Sequence, residues 1–182
     1  MGSFSFTIDT TVPPDRVLAA LTDFSDKRPE IWPTISRTYY KVHSVGPTSA
    51  DVTEGSDILG GVWGREHYDW SRPGTVTLTV GESAIVKAGG TWTFVVKANG
   101  SGGSTITESM ARVSFGVKGR CVGALVQVAG SKLFRSNLER TLAILAAAPA
   151  ASTTPTAPRA PIVPEPPAPA SADAAVAPPS DG

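Results

Sequence analysis

Three glutamates and one arginine fall at positions where a β-strand would turn them towards a protein interior. Glu54, Glu66, Glu108 and Arg112 each alternate with apolar residues in a strand-like stretch. A carboxylate that is buried without a partner loses its hydration, so its pKa rises by up to about 3–5 units, or a cation must neutralise it. Residues of this kind can orient a polar group of a ligand, act as a general acid or base, or form a structural ion pair.

Large apolar side chains share the parity of these charged residues. In the stretch 59–70 the even positions carry Val62, Glu66, Tyr68 and Trp70. Side chains at alternate positions of a strand lie on one face of the sheet, so these residues are predicted to face the core together. The same test on the other strands completes the set of candidate ligand-binding residues: Val62, Glu66, Tyr68, Trp70, Leu78, Trp92, Phe94, Glu108, Met110 and Arg112.

Other residue types that carry chemistry are sparse. His43 and His67 are far apart and lack the spacing of a zinc-binding helix, and Cys121 is the single cysteine. A disulfide within the chain or a cysteine metal site is therefore excluded. The glycine-rich stretch 100–105 lacks the lysine of a phosphate-binding loop, and it is predicted to be a hairpin loop. The sequence predicts neither a metal site nor a bound cofactor.

The predicted elements follow from the period of the apolar residues. Residues 4–12 alternate as a strand, 14–23 have helical spacing, and Ser25 is placed to cap a second short helix that ends at Pro33. After Pro33 the apolar residues recur at every second position, which is the spacing of a strand. Six further strands are predicted, at 38–45, 49–54, 59–70, 75–80, 89–97 and 104–115. An apolar stripe then predicts one long helix over 118–147.

Composition divides the chain into two parts. The last 34 of the 182 residues, 149–182, contain 10 of the 16 prolines and no aromatic residue. Such a segment buries too little apolar surface to offset its backbone entropy, so it is predicted to be a disordered Pro/Ala-rich tail. Residues 1–148 suit one domain, which at that size buries roughly 68–70% of its unfolded surface.

Charge and hydropathy limit the kinds of partner. The whole chain has 16 basic and 16 acidic residues, and one basic and three acidic residues fall in 149–182, so residues 1–148 carry a net charge of +2. This weak charge argues against nucleic acid as a partner. The N-terminus lacks the pattern of a signal peptide, and the most apolar run, 121–130, is about half a bilayer span. We expect a cytoplasmic protein without stable membrane insertion.

Local motifs resemble one superfamily. Residues 28–33 (RPEIWP) resemble its tryptophan-proline turn, 65–70 (REHYDW) its central strand, and 134–142 (FRSNLERTL) its closing helix. With the element order, these motifs are similar to bacterial polyketide cyclase/dehydratase-like members of the START-like (SRPBCC) superfamily. The resemblance implies an α+β helix-grip fold over 1–148, in which a seven-stranded curved antiparallel sheet wraps around a long C-terminal helix, with two short helices after the first strand.

A sheet covered by one long helix leaves space on its concave side, where a small apolar ligand can bind. The leading hypothesis is a protein that binds a hydrophobic molecule, lipid-like or polycyclic, between the sheet and the C-terminal helix. The alternative is an enzyme of polyketide cyclase/dehydratase type, in which Glu66 or Glu108 acts with Tyr68 as acid and base. A partner protein for the tail is left open.

Overall fold

The fold is a single antiparallel sheet that packs against one long helix and two short ones. The structure is a computed structural model, and it describes residues 2–58 and 61–148. Within these residues, seven strands form one sheet in the order β1-β7-β6-β5-β4-β3-β2. The strands are β1 (Gly2–Thr10), β2 (Lys41–Val45), β3 (Ser49–Ser56), β4 (Val62–Asp69), β5 (Thr75–Ser83), β6 (Thr91–Ala98) and β7 (Ser104–Arg112). The predicted α+β helix-grip architecture is confirmed.

The short helices lie between β1 and β2. Helix α1 (Pro14–Leu21) begins with proline, whose missing N–H would be unpaired at this position in any case, and it turns Val17 and Leu21 into the core. Helix α2 (Arg28–Ile31) is a single turn. A 3-10 turn, Arg37–Tyr39, then leads into β2.

Several predicted boundaries were wrong. The strand predicted to start at residue 38 starts at Lys41, because the 3-10 turn occupies its first residues. Strand β5 is longer than predicted. Its pairing with β4 continues past a register shift next to Gly81, where Arg65 pairs with Glu82 and Glu66 with Val80. Residues 59–60 and the predicted tail, 149–182, lie outside the described residues.

The longest helix, α3 (Gly116–Ala147), crosses the concave face of the sheet. Its C-terminal half buries Leu138 and Leu142 in the main core, beside β1 and α1. Near its N-terminus, Val122 packs on a second, smaller cluster formed by Val80, Ile85 and Val86. The helix thus contacts apolar residues near both ends of its course, and a cavity lies between the two clusters.

Candidate functional site

The cavity lies between the concave face of the sheet, α2 and α3, and its volume is about 460 Å³. Ligand pockets in proteins typically measure about 300–1,000 Å³ and are mostly apolar with a few polar groups. The walls here follow that pattern, since aliphatic and aromatic side chains surround a small number of charged ones. The charged lining residues are Arg28, Glu54, Glu66, Glu108 and Arg112.

Nine of the ten candidate residues lie on the wall of this cavity. They are Val62, Glu66, Tyr68, Leu78, Trp92, Phe94, Glu108, Met110 and Arg112. Trp70 is the exception: it does not line the cavity, and its ring lies 5.8 Å from that of Phe24. Trp63, which parity assigns to the outer face, lines the cavity as well. That these residues bind a ligand stays a prediction.

The first polar cluster in the wall joins α2 to the sheet. Arg28, only 2% exposed, forms an ion pair through Nε with Glu54, and its Nη2 donates to the hydroxyl of Tyr68 at 3.0 Å. That hydroxyl donates to Oε2 of Glu54 at 2.8 Å. The three side chains therefore satisfy one another, and burying the charges is tolerated because they are paired and hydrogen-bonded.

Arg28 also caps the C-terminal end of α1. Its Nη1 donates to the carbonyl oxygens of Ala20, Leu21 and Asp23, at 3.4, 3.2 and 2.9 Å. Carbonyls at the end of a helix lack partners within the helix, and a cation there also complements the helix dipole. Burial alone lowers the pKa of Arg28, but the oxygens of Tyr68 and Glu54 outweigh it, so the net direction is upward.

The second polar cluster pairs strands β4 and β7. Nη2 of Arg112 donates to Oε1 of Glu66 at 2.6 Å, and its guanidinium lies 5.0 Å from the ring centroid of Trp92. Burial raises the pKa of Glu66, and the charge of Arg112 offsets part of that rise. This second ion pair means that the two arginines and two of the three glutamates on the wall balance in charge.

Glu108 is the third carboxyl of the wall and has a different environment. It is 2% exposed, and the indole Nε1 of Trp92 donates to its Oε1 at 3.0 Å. Burial raises the pKa of Glu108 to about 8, and the hydrogen bond from Trp92 lowers it only in part. The side chain is therefore mostly a neutral carboxylic acid at pH 7, able to donate a hydrogen bond into the cavity.

Arg28 is a charged residue of the cavity wall that parity missed. It belongs to α2, outside the strands to which parity applies, and the sequence marks it only as the first residue of the tryptophan-proline motif. A signal was present, because three glutamates and only one arginine on the predicted inner face indicate a second cation. Proximity in sequence gives no reason to pair Arg28 with Glu54, 26 residues away.

The histidines lie away from the cavity, on the outer face of the sheet. Nε2 of His43 is 2.8 Å from Oγ1 of Thr53, and Nδ1 of His67 is 3.3 Å from Oδ1 of Asp51. Across residues 2–58 and 61–148, no three His, Cys, Asp or Glu side chains are grouped so that they could hold a metal ion. In the same part of the chain, no helix is long and apolar enough to cross a membrane.

A family model described as polyketide cyclase/dehydrase and lipid transport matches residues 1–148. The chain belongs to this family. Members of the polyketide cyclase/dehydrase family, part of the SRPBCC group, typically bind hydrophobic ligands. No curated protein shows significant sequence similarity to the chain.

Solved structures share the fold of this family member. The Zhui aromatase/cyclase from Streptomyces sp. R1128 is 12% identical, with a TM-score of 0.67 over 79% of this chain and 93% of that one. A START superfamily protein from Mycobacterium smegmatis is 14% identical, with a TM-score of 0.61 over 78% and 94%. The major latex-like protein 151 from Panax ginseng is 16% identical, with a TM-score of 0.55 over 80% and 95%. At these identities the similarity shows a common fold.

Proposed function

We propose that the protein binds an uncharged, hydrophobic small molecule, polycyclic or lipid-like, inside the cavity between the sheet and α3. The observation that carries the proposal is the cavity itself, about 460 Å³ with aromatic and aliphatic walls, in which an apolar molecule would exchange water for apolar side chains of the sheet and of α3.

The charges of the wall favour an uncharged ligand. Arg28 is paired with Glu54 and Arg112 with Glu66, so each arginine is already neutralised. A charged ligand would have to displace one of these partners or remain unpaired in an apolar space, and both are costly. The protonated carboxyl of Glu108 is a donor, so we infer that the ligand carries a hydrogen-bond acceptor, such as a carbonyl or hydroxyl oxygen, near Trp92.

Native mass spectrometry of the full-length protein, followed by extraction and identification of any passenger molecule, tests this proposal. Titration with the neutral dye Nile red then measures occupation of the cavity. Met110→Trp fills the cavity from β7 and is expected to weaken dye binding at least ten-fold. The matched control is Thr93→Trp, which adds the same ring to the outer face of β6 and should bind the dye as the parent does. Equal binding by both variants would contradict the proposed site.

A second candidate, an acid–base enzyme, is favoured by one observation: Glu108 lines the cavity, and burial raises the pKa of its carboxyl to about 8. In that case Glu108 would act as the general acid. The hydroxyl of Tyr68 already donates to Glu54, so it is committed elsewhere. Glu108→Gln separates the two functions, because a carrier keeps its ligand affinity within a few-fold, whereas an enzyme keeps binding and loses turnover of the passenger molecule.

A further inference from the structure

The N-terminal half of α3 carries apolar residues on its outer side as well as on its inner side. Residues 121–130 contain no charged side chain. Its inner side contributes Val122 and Gly123 to the cavity wall. An amphipathic helix normally turns a polar face to water, so exposed apolar residues on the outer side of α3 call for a covering partner.

The outer side forms one continuous stripe. Val117 and Val128 are 82% and 89% exposed, and Cys121 and Ala124 are also exposed. These positions are four, three and four residues apart, which places them on one face of a helix. We call Val117, Cys121, Ala124 and Val128 the outer stripe. Single exposed apolar residues are ordinary on protein surfaces, but a row of four beside a cavity marks an interaction surface.

Basic residues flank the outer stripe. Arg120 lies near its N-terminal end and Lys132 beyond its C-terminal end, and both are exposed. The sequence from 116 to 138 contains two more basic residues, Lys118 and Arg135, and no acidic residue. Within this segment the basic residues are therefore not offset by acidic ones, although the chain as a whole has no net charge.

This charge distribution decides between two possible partners. A second copy of the chain would bring Arg120 and Lys132 close to the basic residues of the other α3, whether the two helices pair parallel or antiparallel. Like charges brought together oppose such pairing. An anionic bilayer surface instead offers an apolar interior for the valines and negative headgroups for the basic residues. No helix in the described part of the chain spans a membrane, so the contact would be peripheral.

We propose that the outer stripe of α3 docks the domain onto the surface of an anionic lipid bilayer. The stripe enters the boundary between headgroups and acyl chains, while Arg120 and Lys132 contact the headgroups. Because the same helix walls the cavity, the docked face lies directly behind the ligand site. This surface is separate from the proposed ligand function, since docking needs no occupant in the cavity.

Co-sedimentation with phosphatidylcholine vesicles, made with and without phosphatidylserine, tests the docking of the full-length protein. The parent is expected to bind only the vesicles that contain phosphatidylserine, and 1 M salt should release it. Val128→Glu is expected to abolish binding, since it puts an anion at the most exposed residue of the stripe. The matched control is Val45→Glu on β2, where Val45 is 58% exposed. Strand β2 is one edge of the sheet, and β1, which contacts α3, is the opposite edge. This control variant should bind like the parent.

The charged residues give an independent measure. Each basic residue near an anionic surface contributes about 1 kcal/mol, so the double variant Arg120→Gln/Lys132→Gln should bind roughly thirty-fold more weakly. A bimane label on the natural Cys121 should shift to the blue with the anionic vesicles only. Absence of vesicle binding by the parent, or equal binding by the parent and Val128→Glu, overturns the proposal. Self-association that Val128→Glu removes, without vesicle binding, would identify a second copy as the partner instead.

Discussion

The carboxyl of Glu108 couples the stability of the folded domain to pH. Below about pH 4.5 it is protonated whether the chain is folded or unfolded, so it has no effect. Between pH 4.5 and about 8 it ionises only in the unfolded chain, so the free energy of unfolding falls by about 1.4 kcal/mol per pH unit. Above pH 8 the whole loss, on the order of 5 kcal/mol, is present.

We therefore predict that Glu108→Gln stabilises the protein at pH 9 by several kcal/mol and changes stability much less at pH 5. The glutamine oxygen can still accept from the indole of Trp92, so the packing is kept. Urea unfolding at the two pH values measures the difference. Glu82→Gln, which alters an exposed carboxylate, is the control and should show no such gain. Equal effects of Glu108→Gln at both pH values would show that the buried acid ionises normally.

Arg28 should contribute far more to stability than an arginine in an exposed ion pair. Arg28→Met leaves Glu54, whose side chain is only 13% exposed, without its cation, and it removes the donor to the carbonyls at the end of α1. We expect a loss of about 3–5 kcal/mol in the free energy of unfolding, partly restored by adding Glu54→Gln. The comparison is Arg37, whose exposed pair with Glu30 spans 2.7 Å; Arg37→Met should cost less than about 1 kcal/mol. Chemical denaturation of the four proteins checks the ranking.

At the scale of elements, α3 approaches the β5–β6 connection closely because of one glycine. A Cβ atom at Gly119 would lie 2.6 Å from the carbonyl oxygen of Ile85. Alanine normally favours a helix over glycine by about 1 kcal/mol, but here we predict that Gly119→Ala destabilises the protein by about 1–3 kcal/mol, because the helix must move outward. Gly100→Ala, where a Cβ meets nothing within 4 Å, is the control, and unfolding in urea measures both.

Strand parity could be predicted from the sequence because inward positions alternate without interruption on β6 and β7. The buried row Ser104, Ile106, Glu108 and Met110 runs through β7 in one register. Strand ends were less predictable, since they depend on pairing. Beyond Arg112 the chain leaves the strand, and Ser114 forms an isolated bridge to Val86. Trp70 has the predicted parity but lies just past the end of β4. Its side chain packs on Phe24 and does not line the cavity.

At the scale of the whole molecule, the existence of a cavity could be predicted from the element order, because one helix cannot fill the concave side of seven strands. The ion pairs in the cavity wall could not be predicted, since Arg28–Glu54 and Glu66–Arg112 join residues 26 and 46 positions apart. Such pairs depend on how α2 and the strands meet in three dimensions.

Deleting residues 149–182 should leave the stability of the domain unchanged. The last turn of α3 is held from inside the domain, where Nη2 of Arg16 donates to the carbonyl oxygens of Leu145 and Ala148 at 2.7 and 3.1 Å. These acceptors remain when the chain ends at Ala148. We expect the thermal midpoints of the full-length and shortened proteins to agree within replicate scatter. A clear drop on truncation would mean that the tail contributes contacts to the domain.

The neighbour relation between β1 and β7 also sets the order in which the protein can fold. Their partners are separated by 94 residues at Thr10–Ser104 and by 110 at Gly2–Arg112. At about 5–20 residues per second, the ribosome needs roughly 5–20 s to supply β7 after β1 has been made. During that interval β1, with its apolar residues Phe4, Phe6 and Ile8, has no strand with which to pair. This high contact order favours slow folding, completed only after almost the whole domain has been synthesised.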